Sequence, residues 1–133
     1  MMKTDVDRIL LADDGSDAAA VARGIAVDLA ATTNAKLSIV YVLEPYQDDE
    51  DGRRILRGAV ALAEQREVPY DIDVQRPVGI TNPGRRIVGA AEGCGADLVV
   101  VGARGLGGVG RLLLGSVSSY VVHHASCSVL VAR

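Results

Sequence analysis

Four short apolar runs constrain this chain more than any other feature of it. They are Arg8–Ala12 (RILLA), Lys36–Val42 (KLSIVYV), Leu98–Val101 (LVVV) and Ser128–Ala132 (SVLVA). Charge appears in them only at a first residue. Arg8–Ala12 fits a central parallel strand and Leu98–Val101 a buried one, with Lys36–Val42 and Ser128–Ala132 as further strands. Between them lie segments of helical period. Asp17–Ala31 repeats Ala18, Val21, Ala22, Ile25 and Leu29, with Ser16 as N-cap and Asp17 in the first turn. Leu43–Gly52 is a loop with Pro45 and four successive acids, Asp48–Asp51, which cap a second helix reaching about Arg66. Thr81-Asn82-Pro83 opens a third helix. Ile87, Ala90, Ala91 and Cys94 give its inner face, and Gly95 stops it. A fourth begins at Gly115-Ser116. Tyr70–Gln75 (YDIDVQ) alternates strictly, so it reads as a half-exposed strand at a sheet edge.

Strand–helix alternation throughout predicts an α/β fold, Rossmann-like, with a five-stranded parallel sheet and helices on both faces. The expected strand order is 3-2-1-4-5, with residues 1–133 as a single domain. In that order strands 1 and 4 are neighbours whose connections leave on opposite faces. Ligands bind such sheets in the crevice at the carboxyl ends of those strands. Asp14 ends strand 1 and Gly102 ends strand 4, so both face that crevice.

Gly102–Ser116 reads GARGLGGVGRLLLGS, with six glycines in fifteen residues. Glycine lacks a Cβ and tolerates positive φ, so this backbone can wrap closely around an anion. The helix that follows adds unpaired N–H groups and the positive end of a dipole. A phosphate cradle is one reading, and an ordinary surface loop is the other.

The spacing narrows the choice. Gly102-x-x-Gly105, nine residues, then Gly115-Ser116 resembles the nucleotide-binding pattern of the universal stress protein family, in its ATP-binding branch. The opening ILLADDGSDAA and the ending HHASCSVLVAR are similar to that family's first strand and last helix–strand pair. The resemblance covers essentially the whole chain and implies an adenine nucleotide alpha hydrolase-like fold. It also implies that Asp14 lies beside a ribose, where a carboxylate accepts sugar hydroxyls well. Val42 would pack on adenine, and Ala12 would line the same pocket. Gly102, Ala103, Arg104, Gly105, Leu106, Gly107 and Gly108 would wrap the phosphates, and Gly115, Ser116, Val117 and Ser118 would hold them at the helix start. Arg104 or Arg111 is a candidate phosphate contact. The last strand would pair with its twin in a homodimer. Asp13 departs from the family's usual uncharged residue, and a second carboxylate there would repel a triphosphate unless Mg²⁺ or Mn²⁺ intervened. Ser126 and Ser128 replace frequent prolines.

Competing motifs fail on missing residues. Gly105-x-Gly107-x-x-Gly110 matches a dinucleotide fingerprint, but no Asp or Glu follows Asp97 to hold a ribose. Gly110 to Ser116 resembles a P-loop without its lysine, and Lys36 is the last lysine in the chain. Ile9–Asp14 resembles the start of a response-regulator receiver. That domain needs an aspartate ending strand 3 and a lysine ending strand 5, and the chain has neither there. His123 and His124 are adjacent on a helix, about 100° apart, which suits helix-surface residues rather than shared metal ligands.

A net charge of −3 with scattered arginines gives no basic stripe for nucleic acid. No apolar run reaches the roughly 18 residues of a membrane span, and the first residues lack the apolar core of a signal peptide. Cys94 and Cys127 form neither a disulfide framework nor a metal spacing and fit a reducing cytoplasm. The expected function is ATP binding in a regulatory role in stress response, read by an unidentified protein partner. AMP or another adenine nucleotide is an alternative ligand. No general base, lysine or water-positioning glutamine stands out for efficient hydrolysis. Two other readings stay open: a slow metal-dependent ATPase or nucleotidyl-transfer enzyme using Asp13 and Asp14, and a nucleotide-free dimeric interaction module.

Overall fold

The computed structural model describes residues 5–103 and 114–133. Its elements run β1 (Arg8–Ala12), α1 (Asp17–Thr33), β2 (Lys36–Val42), α2 (Asp49–Ile55), α3 (Arg57–Gln65), β3 (Tyr70–Gln75), α4 (Pro83–Cys94), β4 (Leu98–Gly102), α5 (Ser116–His124) and β5 (Ser128–Ala132). The five strands form one sheet in the order β3-β2-β1-β4-β5. Every pairing is parallel. Leu10 sits between Ser38 of β2 and Val99 of β4, which fixes the central register.

The chain puts an apolar core on each face of this sheet. Ile9, Leu11, Leu37 and Ile39 pack with the inner faces of α1 and α3. Leu10, Val40, Val99 and Val101 pack with Ile87, Ala90 and Ala91 of α4 and Val121 of α5. The central β1 and β4 are buried at their three middle residues, as continuous apolar runs require. Edge strand β3 has no fully buried residue. With no Phe or Trp in the chain, this packing is aliphatic. Among the described residues, no helix is long and apolar enough to cross a membrane.

The helix starts follow their capping residues. Ser16 Oγ accepts the Ala19 N–H at 3.2 Å, and Asp48 and Asp51 form a reciprocal capping box at the start of α2. Asn82 accepts the Gly84 N–H at 2.8 Å, with Pro83 at the first helical position. Three boundaries differ from expectation, the first being the loop expected to reach Gly52, which ends at Asp48 with α2 starting at Asp49. Helix α1 continues past Ala31 to Thr33 and closes on Asn34, whose φ of 58° is left-handed. The helix expected to run to Arg66 is two helices meeting at Leu56. Leu56 is fully buried, and the turn there lets α2 lie on β3 while α3 lies against α1. Gly52 permits the first contact, since a Cβ on it would fall 2.6 Å from Val74 Cγ1.

Candidate functional site

The turn after β1 is built from its own carboxylates. Asp13 N–H donates to Val40 O at 3.1 Å, tying the end of β1 to β2. Gly15 has φ +76° and donates its N–H to Asp13 Oδ1 at 2.8 Å. Asp14 Oδ1 accepts both the N–H and the hydroxyl of Ser16. Ser16 in turn caps α1, so one hydrogen-bonded chain runs from Asp14 into the helix.

Asp13 is 2 % exposed. Its carboxylate accepts from Arg23 Nε at 2.7 Å and Nη2 at 3.0 Å, besides the Gly15 N–H. The hydrogen bonds that Arg23 donates to Asp13 hold its guanidinium above its already high ordinary value, against a smaller opposing effect of burial. The charge expected to repel a polyphosphate is therefore paired within the protein. Three of the carboxylate's roughly four acceptor positions are engaged.

A crevice of about 380 Å³ opens at the carboxyl ends of β1, β2 and β4. Ala12, Val40, Val42, Val101 and Ile87 supply apolar surface, Asp14 and Ser16 border it, and Gly102, Val117 and Ser118 close the α5 side. Its size lies in the range of small-molecule sites. Gly102 is where β4 passes the first turn of α1: a Cβ there would stand 3.2 Å from Ala18 O. Helix α5 begins at Gly115 without a side-chain cap, unlike α1, α2 and α4. The Ser118 hydroxyl donates to Gly115 O at 3.1 Å. The N–H groups of this first turn have no intrahelical acceptor, which suits an anion.

Of the residues singled out in the sequence, Ala12, Asp13, Asp14, Val42, Gly102, Val117 and Ser118 line this crevice together. Ala103 and Ser116 adjoin the lining residues Gly102 and Val117 in the chain, and Gly115 is the N-cap of α5. Ala103 N–H pairs with Ala132 O at 2.7 Å, and Ser116 O accepts from Asn82 Nδ2 at 3.2 Å. Arg104, Gly105, Leu106, Gly107, Gly108 and Arg111 lie outside the described residues. Sequence reasoning missed Ile87 and Pro83, and Tyr41, Glu44, Tyr46 and Gln47 in the segment around the end of β2, which also line the crevice. The available signal was position: that segment leaves the carboxyl end of β2, next to β1.

Burial pushes the Tyr41 phenol up, despite the hydrogen bond it donates to Gln47 Oε1 at 2.7 Å. It stays protonated at neutral pH and acts as a donor. His123 and His124 are exposed, each with Nδ1 within 2.9 Å of the carbonyl four residues earlier. Cys94 and Cys127 are free thiols. Among the described residues, no cluster of three or more His, Cys, Asp or Glu is placed to hold a metal. A larger hollow, about 770 Å³, lies between β3 and α4, bordered by Asp73, Gln75, Arg85, Arg86, Gly89 and Gly93. It reaches Gln75 at the carboxyl end of the edge strand and shares no lining residue with the crevice.

Known proteins resemble this chain in sequence and in fold. A universal stress protein from Thermus aquaticus is 40 % identical over 136 residues, covering 94 % of this chain and 97 % of its own length. YxiE, a universal stress protein from Bacillus subtilis, is 33 % identical across 96 % of this chain and 99 % of its own length. A crystal structure of a universal stress protein in complex with cAMP superposes with a TM-score of 0.77 at 32 % identity, covering 98 % of both chains. The sequence profile of the universal stress protein family matches residues 5–133. By sequence and by fold, this chain belongs to the universal stress protein family.

Proposed function

We propose that the crevice at the ends of β1, β2 and β4 binds an adenine nucleotide, with ATP as the ligand of its regulatory role. One observation carries the reading: Asp14, Gly102 and the uncapped start of α5, drawn from distant parts of the chain, border one crevice. The cAMP complex of a 32 % identical relative supports adenine nucleotides as the ligand class. The chain's residues divide the work. Val40, Val42 and Ile87 offer apolar contact for a base, Asp14 offers a carboxylate for ribose hydroxyls, and the first turn of α5 offers N–H groups for phosphate. The glycine sequence Gly102 to Gly108 would complete the phosphate contacts, by its spacing.

Pairing of Asp13 with Arg23 counts against the metal-dependent enzyme reading, because that carboxylate has little left to offer a metal. We place the protein's work in signalling: occupancy of the crevice alters a surface that a protein partner reads. Strand β5 is the other edge of the sheet, with Val129, Leu130 and Val131 half-buried. A homodimer through β5 would cover that edge. Two free thiols suit the cytoplasm.

Calorimetric titration with ATP and AMP, with and without Mg²⁺, tests the reading on wild type and Gly115→Val. Gly115 has φ −65° and ψ 165°, an extended conformation that valine accepts, so the variant adds bulk at the phosphate end without backbone strain. ATP binding to the wild type and its loss in the variant is the expected result. Absence of binding by either nucleotide would return the protein to the nucleotide-free module.

A further inference from the structure

We propose that Tyr46 is the base-stacking residue of this crevice, covering the adenine ring at the mouth above Val40, Val42 and Ile87. The inference rests on the nucleotide reading and names the side chain that recognises the base. Besides two histidines, the chain's aromatic side chains are four tyrosines, with no Phe and no Trp. Tyr120 is stacked on His124 with ring centroids 3.9 Å apart. Tyr70 packs against the core of the α1 face. Tyr41 and Tyr46 both line the one crevice.

Tyr46 is held out in solvent by a fixed backbone. It is 84 % exposed. Glu44-Pro45-Tyr46-Gln47 forms a β-turn closed by the Gln47 N–H on Glu44 O at 3.0 Å. Pro45 presets φ at the second position of that turn. The Gln47 side chain then locks the turn to the sheet: its Oε1 accepts from the Tyr41 hydroxyl at 2.7 Å and from the Glu44 N–H at 2.8 Å. Small polar residues and glycine dominate such turns. Here a large ring occupies the tip instead, at the rim of an apolar slot. An isolated exposed apolar residue is ordinary on a protein surface. A ring on a proline-fixed, doubly hydrogen-bonded turn that borders a ligand-sized crevice is pre-organised for a flat partner, and stacking on a base needs no other geometry.

The test titrates wild type, Tyr46→Ala and Tyr46→Phe with ATP, and with inorganic tripolyphosphate as a base-free probe. Tyr46→Phe keeps the wild-type ATP affinity. Tyr46→Ala loses roughly ten-fold or more for ATP, while its tripolyphosphate affinity stays that of the wild type. Equal ATP affinity in Tyr46→Ala and wild type overturns the stacking role and leaves the nucleotide reading intact. Loss of tripolyphosphate binding in Tyr46→Ala also overturns it, because the turn would then be supporting the phosphate site. If the wild type binds no adenine nucleotide, the crevice reading falls and the stacking role with it.

Discussion

Arg23 meets Asp13 side-on, Nε 2.7 Å from one carboxylate oxygen and Nη2 3.0 Å from the other. The Asp13 side chain is fully buried and that of Arg23 is 17 % exposed. Removing one partner strands the other's charge away from water. Arg23→Met is expected to lose about 3–5 kcal/mol of stability, and adding Asp13→Asn to recover part of it. Urea unfolding of the single and double variants measures both. A loss below about 1 kcal/mol in Arg23→Met would place the pair among weak surface bridges. If the crevice binds ATP, the unpaired Asp13 of Arg23→Met also makes that binding depend on Mg²⁺.

Gly15 is expected to resist substitution where Gly89 welcomes it. At Gly15, φ is +76° and a Cβ would stand 3.0 Å from Ile55 Cγ2 and 3.2 Å from Ile55 O. Gly15→Ala should cost about 1–2 kcal/mol and lower Tm by several degrees. Gly89 lies inside α4 with open space around it, so Gly89→Ala should gain about 0.5–1 kcal/mol. Thermal unfolding decides, and equal Tm values for the two variants would remove the strain argument.

Asp71 sets an acid-side dependence. Burial pushes its carboxyl up, but hydrogen bonds from Lys36 and Ser38 and the charges of Lys36 and Arg8 outweigh that and hold it below the ordinary aspartate range. The unfolded value is ~3.9. A folded value below it means the contribution is complete above that pH and fades as pH falls through the folded value. The stability gap between wild type and Asp71→Asn should stay constant from about pH 7 to 5 and close below about pH 4. Because the Asp71 side chain is 46 % exposed, the gap is small. A gap that persists at low pH would show that something other than ionisation maintains it.

Cys127 should be a slow nucleophile. Burial raises its thiol, and nearby Asp97 and Cys94 raise it further. Less thiolate at neutral pH means slower alkylation. Iodoacetamide labelling read by peptide mass mapping should give a pH midpoint higher in the folded protein than in the denatured chain. A midpoint at or below the denatured value would contradict this placement.

The centre of the sheet was legible because its strands announce their own burial, whereas SVLVA, equally apolar, lies at the other edge. LVVV and RILLA have no polar residue to turn toward water once inside the sheet, so they fall at its centre, while YDIDVQ alternates and falls at the edge. The break at Leu56 was not legible. Gly52 and Gly58 flank it without marking a stop, and the local pattern continues as helix; the direction change comes from where α2 and α3 find their packing. Similarly, Asp13 looked like an excess charge. Its partner Arg23 lies ten residues away on a helix whose rotation relative to β1 no local pattern sets. Asp14, Val42 and Gly102 were reachable through the strand-end rule. The same rule reaches the segment after β2 but does not single out Tyr46 within it, because a turn tip carries no periodic signal.

The strand order has a consequence for how the protein is made. The first wall of the crevice, Ala12 to Ser16, leaves the ribosome early, but its neighbour in the sheet is β4, and the facing helix start lies beyond residue 114. A growing chain can pair β1, β2 and β3 long before it owns a complete crevice. If the crevice binds a small molecule, capture waits until α5 has been made, and occupancy would act on the stability of this whole unit rather than on any fragment of it.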